Sequence, residues 1–378
     1  MNIGFIILAY ASLVTLSLID NGRGAAYPEI LSGLSISTDK GSYLFTIASL
    51  AGLMANLTGR YWLAFLGLVN GTRMALLLMG VGSLVLGFAG EFSSYPLLLF
   101  AACLTGLGLG SLGITMNVMV SEGAPVDKRR QYLSGLHGVY GISSFLAPHI
   151  LTLIIFNGGS WIVYFKYISL VSILVILYSL KVVDTHREEV SSESSALPMN
   201  FSKRTLIGLY FGFYVASEII ISSRLPLYLI RVQSFSQSNA NAYLSYFFLG
   251  LMCGRLFFAF VKVKTANYKL IVASFSMTFI CYSLGIWLHP IFLCLCGLTM
   301  SFCFPISMDW LKERFHSGNH VMVASVMATI GITLTIMHWL FGQITNSFGI
   351  EVAFQLFYIF NVLGLVIFVL FDKIDISD

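Results

Sequence analysis

From Phe92 to Ser121 the chain runs thirty residues without an Asp, Glu, Lys or Arg, and from Gln131 to Phe165 it runs another thirty-five. A helix crosses the hydrocarbon core of a bilayer with about 20 apolar residues, so each stretch is long enough to cross at least once. In lipid the backbone must satisfy its own N–H and C=O groups, which leaves helices and closed barrels. These runs are continuously apolar and far longer than a barrel strand of about 9–11 residues. The implied fold class is an all-α membrane protein. Composition extends the argument to the whole chain. Of 378 residues 57% are hydrophobic and 10% charged, against about 25% charged in a soluble domain, and mean hydropathy is +0.86. That excludes a cytosolic enzyme, a disordered chain and a secreted disulfide scaffold. A net charge of +4 leaves no basic face for nucleic acid.

A ruler of about 20 residues divides the chain into twelve transmembrane segments, near 3–33, 41–62, 72–90, 95–121, 131–155, 161–182, 204–229, 239–261, 269–288, 291–311, 323–346 and 351–371. The N-terminal run has no basic residue ahead of it, and Asp20-Asn21 stands where a small-residue cleavage site would be. It reads as a retained first helix, not a signal peptide. Residues 183–202 are acidic and serine-rich, a solvated linker. The predicted domains are therefore a six-helix bundle over 1–182, a cytoplasmic linker over 183–202 and a second six-helix bundle over 203–378. Sixteen Lys and Arg, with Arg255 counted among them, fall in loops on the side of the termini and linker, against five on the other side: Arg23, Lys40, Lys166, Arg224 and Arg231. The positive-inside bias then predicts cytoplasmic termini, in a bacterial inner (plasma) membrane.

The halves are related. Asp20 stands eight residues before Pro28 and Glu218 eight before Pro226; Gly52-Leu53-Met54 recurs as Gly250-Leu251-Met252, all at an offset of 198. Gly106-Leu107 and Gly297-Leu298 match at 191, a seven-residue difference in loop length. Repeats of six helices, with a site at their interface, are a transporter pattern, and the two bundles are predicted to be pseudo-symmetric.

Charges inside such a bundle face its interior or pair with one another. Asp20 and Arg23, at i and i+3, share a helix face; they read either as a structural ion pair or as a cavity-facing group. Glu218 is close to the middle of its helix, and Arg224, about 240° further round, is not its natural partner. With no cation nearby, burial would raise the pKa of Glu218 towards neutrality; an arginine from another helix would act the other way. Arg224 is kept as a candidate in its own right. Asn21, Asn117 and Asn241 could bond a hydroxylated ligand, and Tyr27, Tyr140, Tyr214 and Tyr246 could stack on its rings. His137, beside Gly138 and Gly141, is either a packing residue or part of the site. His137 and His149 lie about 120° apart on their helix and His338 stands alone, so no metal is expected. The six cysteines lack zinc spacing and are read as small hydrophobes. No compact His/Asp or Ser/His set marks an enzyme, no Walker-type Gly-Lys-Ser/Thr is present, and no cofactor is predicted.

The chain resembles the major facilitator superfamily, and within it the sugar-permease branch that includes fucose permeases. The resemblance covers essentially the whole chain. It is carried by Asp20-Asn21-Gly22-Arg23-Gly24 with Tyr27-Pro28, and by Asn117 with Ser121-Glu122-Gly123-Ala124-Pro125. Arg129-Arg130, Leu136-His137-Gly138, Gly141 and Pro148 continue it, as do Tyr214 with Glu218 and Gly250 with Gly254-Arg255. Departures stand beside it: Gly59-Arg60 and Asn70-Gly71-Thr72-Arg73 lack the acid usual in that loop, and Gly113 stands where fucose-permease-like members often bury one. The resemblance implies a small polar, sugar-like solute. The predicted protein is a monomeric secondary active transporter in contact with membrane lipids. It alternates access with a coupling proton or ion as its energy source. The alternative within the class is an exporter of drugs, or an importer or exporter of siderophore-like amphiphiles.

Overall fold

The computed structural model describes residues 2–125, 128–183, 201–261, 263–314 and 319–373. Their helices are α1 (Ile3–Gly33), α2 (Thr38–Leu57), α3 (Gly59–Leu66), α4 (Leu68–Glu91), α5 (Tyr95–Gly123), α6 (Arg129–Phe156) and α7 (Trp161–Ser179), then α8 (Phe201–Gln233), α9 (Gln237–Phe260), α10 (Asn267–Trp287), α11 (Ile291–Met300), α12 (Cys303–Arg314), α13 (Asn319–Phe348), α14 (Ile350–Phe354) and α15 (Leu356–Lys373). Among the described residues these make twelve crossings in two six-helix bundles and no strand. Ten spans qualify on length and apolarity alone, and α2 and α9 complete the twelve. The predicted linker lies, except for its first and last two residues, outside the described residues.

Three expected spans are not continuous. The second ends at Thr58, whose hydroxyl bonds the Met54 carbonyl at 2.7 Å, while the Trp62 indole reaches back to the Ala55 carbonyl at 3.0 Å. The chain then turns into α3, which exposes Tyr61 and Phe65. The tenth span breaks between α11 and α12, and the twelfth at Gln355.

The sequence repeat has a packing counterpart. A side chain on Gly106 would strike the backbone of Ala48, and the Gly106 carbonyl lies 3.2 Å from where a Cβ on Gly52 would stand. In the second half a side chain on Gly297 would strike the Phe247 carbonyl, and the position of a Gly250 Cβ lies 3.0 Å from the Leu298 nitrogen. The matched glycines therefore bring α2 onto α5 and α9 onto α11 in the same way; small residues are what allow such approach in lipid.

The halves meet through α1 on α8, α2 on α13 and α6 on α9. Pro28 and Pro226 sit inside α1 and α8, and each frees the carbonyl four residues before it, those of Gly24 and Ser222. These positions, again 198 apart, are where the helices cross: a Cβ on Gly24 would stand 3.0 Å from the Ser222 carbonyl. At the bundle end remote from Asn2, side chains tie the halves. Arg231 donates to Thr38 Oγ1 at 2.7 Å, Gln237 to the Ala25 carbonyl at 2.7 Å, and Asn241 to Thr152 Oγ1 at 3.2 Å. Large apolar side chains such as Leu153, Leu174 and Phe260 cover the perimeter, where lipid is their solvent.

Candidate functional site: two acids and three arginines between the halves

Glu218 occupies the middle of α8, 14% exposed, with Arg255 of α9 3.3 Å away and itself 15% exposed. The Tyr214 hydroxyl, one turn earlier on α8, lies 2.8 Å from both the Glu218 carboxylate and the Met300 carbonyl. This corrects the expectation of an acid without a cation: Arg255, counted with the loop residues in the charge tally although it falls within the predicted span 239–261, projects from within α9. The signal was a lone arginine after Gly254 in an otherwise apolar run, since a charge there must find a partner.

In the first half Asp20 pairs with Arg23 along α1. Arg23 is 3% exposed and also reaches Thr105 Oγ1 of α5 at 3.4 Å, whereas Asp20 is 27% exposed. The carboxylate therefore meets accessible space while the guanidinium is enclosed. Asn21 turns towards α6, donating to Ser17 at 3.1 Å and Ser144 at 2.9 Å.

Tyr140 of α6 lies between the two pairs. Its phenol is within electrostatic reach of Asp20, Glu218 and Arg255, and the Arg255 guanidinium lies 6.0 Å from its ring centroid. One acid from each half thus addresses the same phenol. Protonating either acid would neutralise it and free its arginine, which is the chemistry this arrangement can perform.

Arg224 stands apart from these pairs. Its side chain is fully buried against the rings of Phe45 at 3.8 Å, Tyr27 at 4.5 Å and Phe341 at 5.2 Å. Tyr27, a ring-stacking candidate from sequence, instead packs on this guanidinium, and its hydroxyl donates to the Thr38 carbonyl at 3.1 Å. His338, read from sequence as a lone histidine, accepts from Arg224 through Nδ1 at 3.4 Å.

Asp20, Asn21, Arg23, Tyr140, Tyr214 and Glu218 thus gather around one region, and Tyr27 and Arg224 adjoin it. Asn241 ties α9 to α6 instead. Asn117 is exposed on α5 and donates to the Gly113 carbonyl at 2.8 Å; a Cβ on Gly113 would meet nothing within 4 Å. His137 belongs to α6, and its side chain lies outside the described residues. Tyr246 is 47% exposed, on the stripe of α9 that carries Phe257 and Phe260, because residues 11 and 14 further on return to within about 40° of it. Periodicity removes it from the cluster. Sequence reasoning also missed Phe45, Phe341 and Thr105, apolar or small polar residues that no local pattern distinguishes. Among the described residues no group of three or more His, Cys, Asp or Glu converges as a metal site would.

Comparisons bear on this arrangement. The sequence model described as Major Facilitator Superfamily matches residues 9–332. No curated protein matches the sequence. Among solved structures, the E. coli fucose:proton symporter FucP superposes with a TM-score of 0.66 at 15% identity, over 97% of this chain and 98% of that one. A structure of FucP in the outward conformation gives 0.65 at 15%, over the same shares. A D-xylose-proton symporter gives 0.74 at 14%, over 98% of this chain and 97% of that one. At such identities the likeness concerns the fold.

Proposed function

This chain belongs to the major facilitator superfamily, and from that membership we propose that it carries a small, polar, sugar-like solute by alternating access, driven by protons. It is an integral membrane transporter and not an enzyme. The halves are 1–182 and 203–378, joined by the linker 183–202, and they rock about the central region. Both termini face the cytoplasm, on the basic asymmetry of the loops, in a bacterial inner membrane. With Arg255 well inside α9, fifteen basic residues remain on that side, in loops and near helix ends, against five on the other. Reporter activity on the opposite side from a fusion at Asp378 would reverse the orientation.

The observation that carries the reading is the pair of acids, Asp20 and Glu218, each beside an arginine and both within reach of Tyr140. A proton on Glu218 removes its attraction for Arg255 and frees both for a hydroxylated solute. The carboxylates, guanidinium groups, phenol and amide at the centre suit such a solute better than a drug. The names of the fucose:proton and D-xylose-proton symporters accord with this.

Glu218→Gln tests the coupling, because the amide mimics the protonated acid. In proteoliposomes with an inward proton gradient, this variant should lose accumulation while exchange continues. Glu218→Asp should retain part of the coupling. Normal accumulation by the Gln variant would remove Glu218 from the mechanism and leave Asp20 as the next candidate.

A further inference from the structure

Arg224 is a cation with which none of the described acids forms an ion pair. Its side chain is fully buried, and its Nε has no hydrogen-bond partner. Its two hydrogen bonds are long, 3.4 Å to His338 and 3.5 Å to the Ser223 carbonyl. Accepting through Nδ1, His338 brings no negative charge. A second guanidinium, that of Arg23, lies 5.8 Å from the centroid of the same Phe45 ring that Arg224 covers at 3.8 Å. The Nε of Arg23 is likewise unpartnered. Asp20 answers Arg23. Asp39 and Arg231 both stand on the Tyr27 side of the cage, and neither Asp39 nor any other described acid forms an ion pair with Arg224. Three aromatic faces attract Arg224 but carry no net charge, so the site keeps one surplus positive charge in low dielectric, where a missing counter-ion is costly.

A solute-sized space lies nearby. A cavity of about 450 Å³ opens between α1 and α8 at the end remote from Asn2, with Glu29, Ser32, Arg231 and Gln237 among its walls, within the size range of small-ligand sites. Its walls also include Pro28, next to Tyr27, and Leu227, one turn from Arg224. Arg231 and Gln237 also make two of the ties that join the halves, so the cavity lies on the seam between α1 and α8 along which Arg224 is enclosed. A guanidinium presents a planar fork that fits a carboxylate or a phosphate with two parallel hydrogen bonds.

We propose that the solute carries an anionic group, a carboxylate or a phosphate, and that Arg224 together with Arg23 is the guanidinium pair that receives it. This rests on the transporter reading and narrows its substrate class. The test uses the full-length protein, purified and in proteoliposomes, with two matched probe pairs, galacturonate with galactose and glucose 6-phosphate with glucose, plus inorganic phosphate. Thermal unfolding titrations at constant ionic strength should show at least one anion bound about tenfold or more tightly than its neutral counterpart. Preference for galacturonate identifies a carboxylate, and preference for glucose 6-phosphate or phosphate identifies a phosphate. Arg224→Gln should abolish the preference. Arg224→Lys, which keeps the buried charge but loses the fork, should weaken it and serves as the folding control. No anion preference, or one that survives in Arg224→Gln, overturns the proposal. Counterflow separates the two readings: exchange of neutral sugars without anion preference leaves the transporter and removes the anion site. Anion-specific stabilisation without any exchange removes the transporter reading instead.

Discussion

Glu218 is contacted from two sides, by the hydroxyl of Tyr214 at 2.8 Å and by Arg255 at 3.3 Å. These contacts differ in what their loss leaves behind. Tyr214→Phe removes a hydrogen bond and leaves the ion pair, a loss of about 1 kcal/mol. Arg255→Gln leaves a half-enclosed carboxylate without its cation; the cost is about 3–5 kcal/mol for a fully buried pair and about 1–3 kcal/mol here, where both groups retain some solvent. Removing the charge on both sides, in Arg255→Gln with Glu218→Gln, should recover most of that loss, because the penalty belongs to the stranded charge. Thermal unfolding in detergent measures all three. A double variant as unstable as the sum of its singles would mean the two residues are not energetically coupled.

At the scale of the helix, four glycines set how closely the crossings pack. Gly106 and Gly297 stand against backbone that cannot retreat, the Ala48 main chain and the Phe247 carbonyl. Gly106→Val or Gly297→Val should therefore force α2 from α5 or α9 from α11 and lower the yield of folded protein sharply, at a cost of about 1–3 kcal/mol or more for overpacking. Gly113 is a contrasting control in α5. A methyl there meets nothing within 4 Å, and Gly113→Ala should express and melt like the parent, gaining a few tenths of a kcal/mol or more from helix propensity, about 1 kcal/mol at most. Fluorescence-detected size-exclusion profiles distinguish these outcomes. Equal profiles for Gly106→Val and Gly113→Ala would contradict the packing at the first crossing.

For the whole molecule, the consequence of alternating access is that the ties remote from Asn2 must part in each cycle. Asn241 and Thr152 join α9 to α6 there, across the two halves, at 3.2 Å. Cysteines at 152 and 241, in a background without the six native thiols, should be bridged by a short bifunctional thiol reagent. The bridge should abolish counterflow in proteoliposomes, and a reducible linker should restore it on reduction. Full counterflow by the bridged protein would show that this contact persists through the cycle and would move the separation to another part of the interface. The bridge leaves Glu218 untouched, so its effect is independent of proton coupling.

Which parts of this were legible before folding follows from the range of the physics involved. Apolar run length, the excess of basic residues in loops and the spacing of Asp20, Pro28, Gly52 and their counterparts are local properties of the chain. Bilayer thickness and the need to satisfy the backbone convert them directly into twelve helices in two related halves. The Asp20–Arg23 pair was legible for the same reason, since i and i+3 meet on any helix. Glu218–Arg255 was not: these residues are 37 positions apart, and neither helix by itself says which face the other will present. Nor does the sequence indicate that Arg224 would be enclosed by Tyr27, Phe45 and Phe341. Those rings come from three other helices, two of them in the opposite half, and an aromatic side chain has the same apolar signature whether it faces lipid, a core or a guanidinium. The sequence alone determined where the chain crosses and placed Asp20, Arg23, Glu218 and Arg224 within the crossings, while Arg255 was counted with the loop residues. The tertiary structure decided which charges meet, and that the enclosed Arg224 has no ion-pair partner among the described residues, because pairing depends on how separate helices rotate and approach, and that is set by packing across the whole bundle.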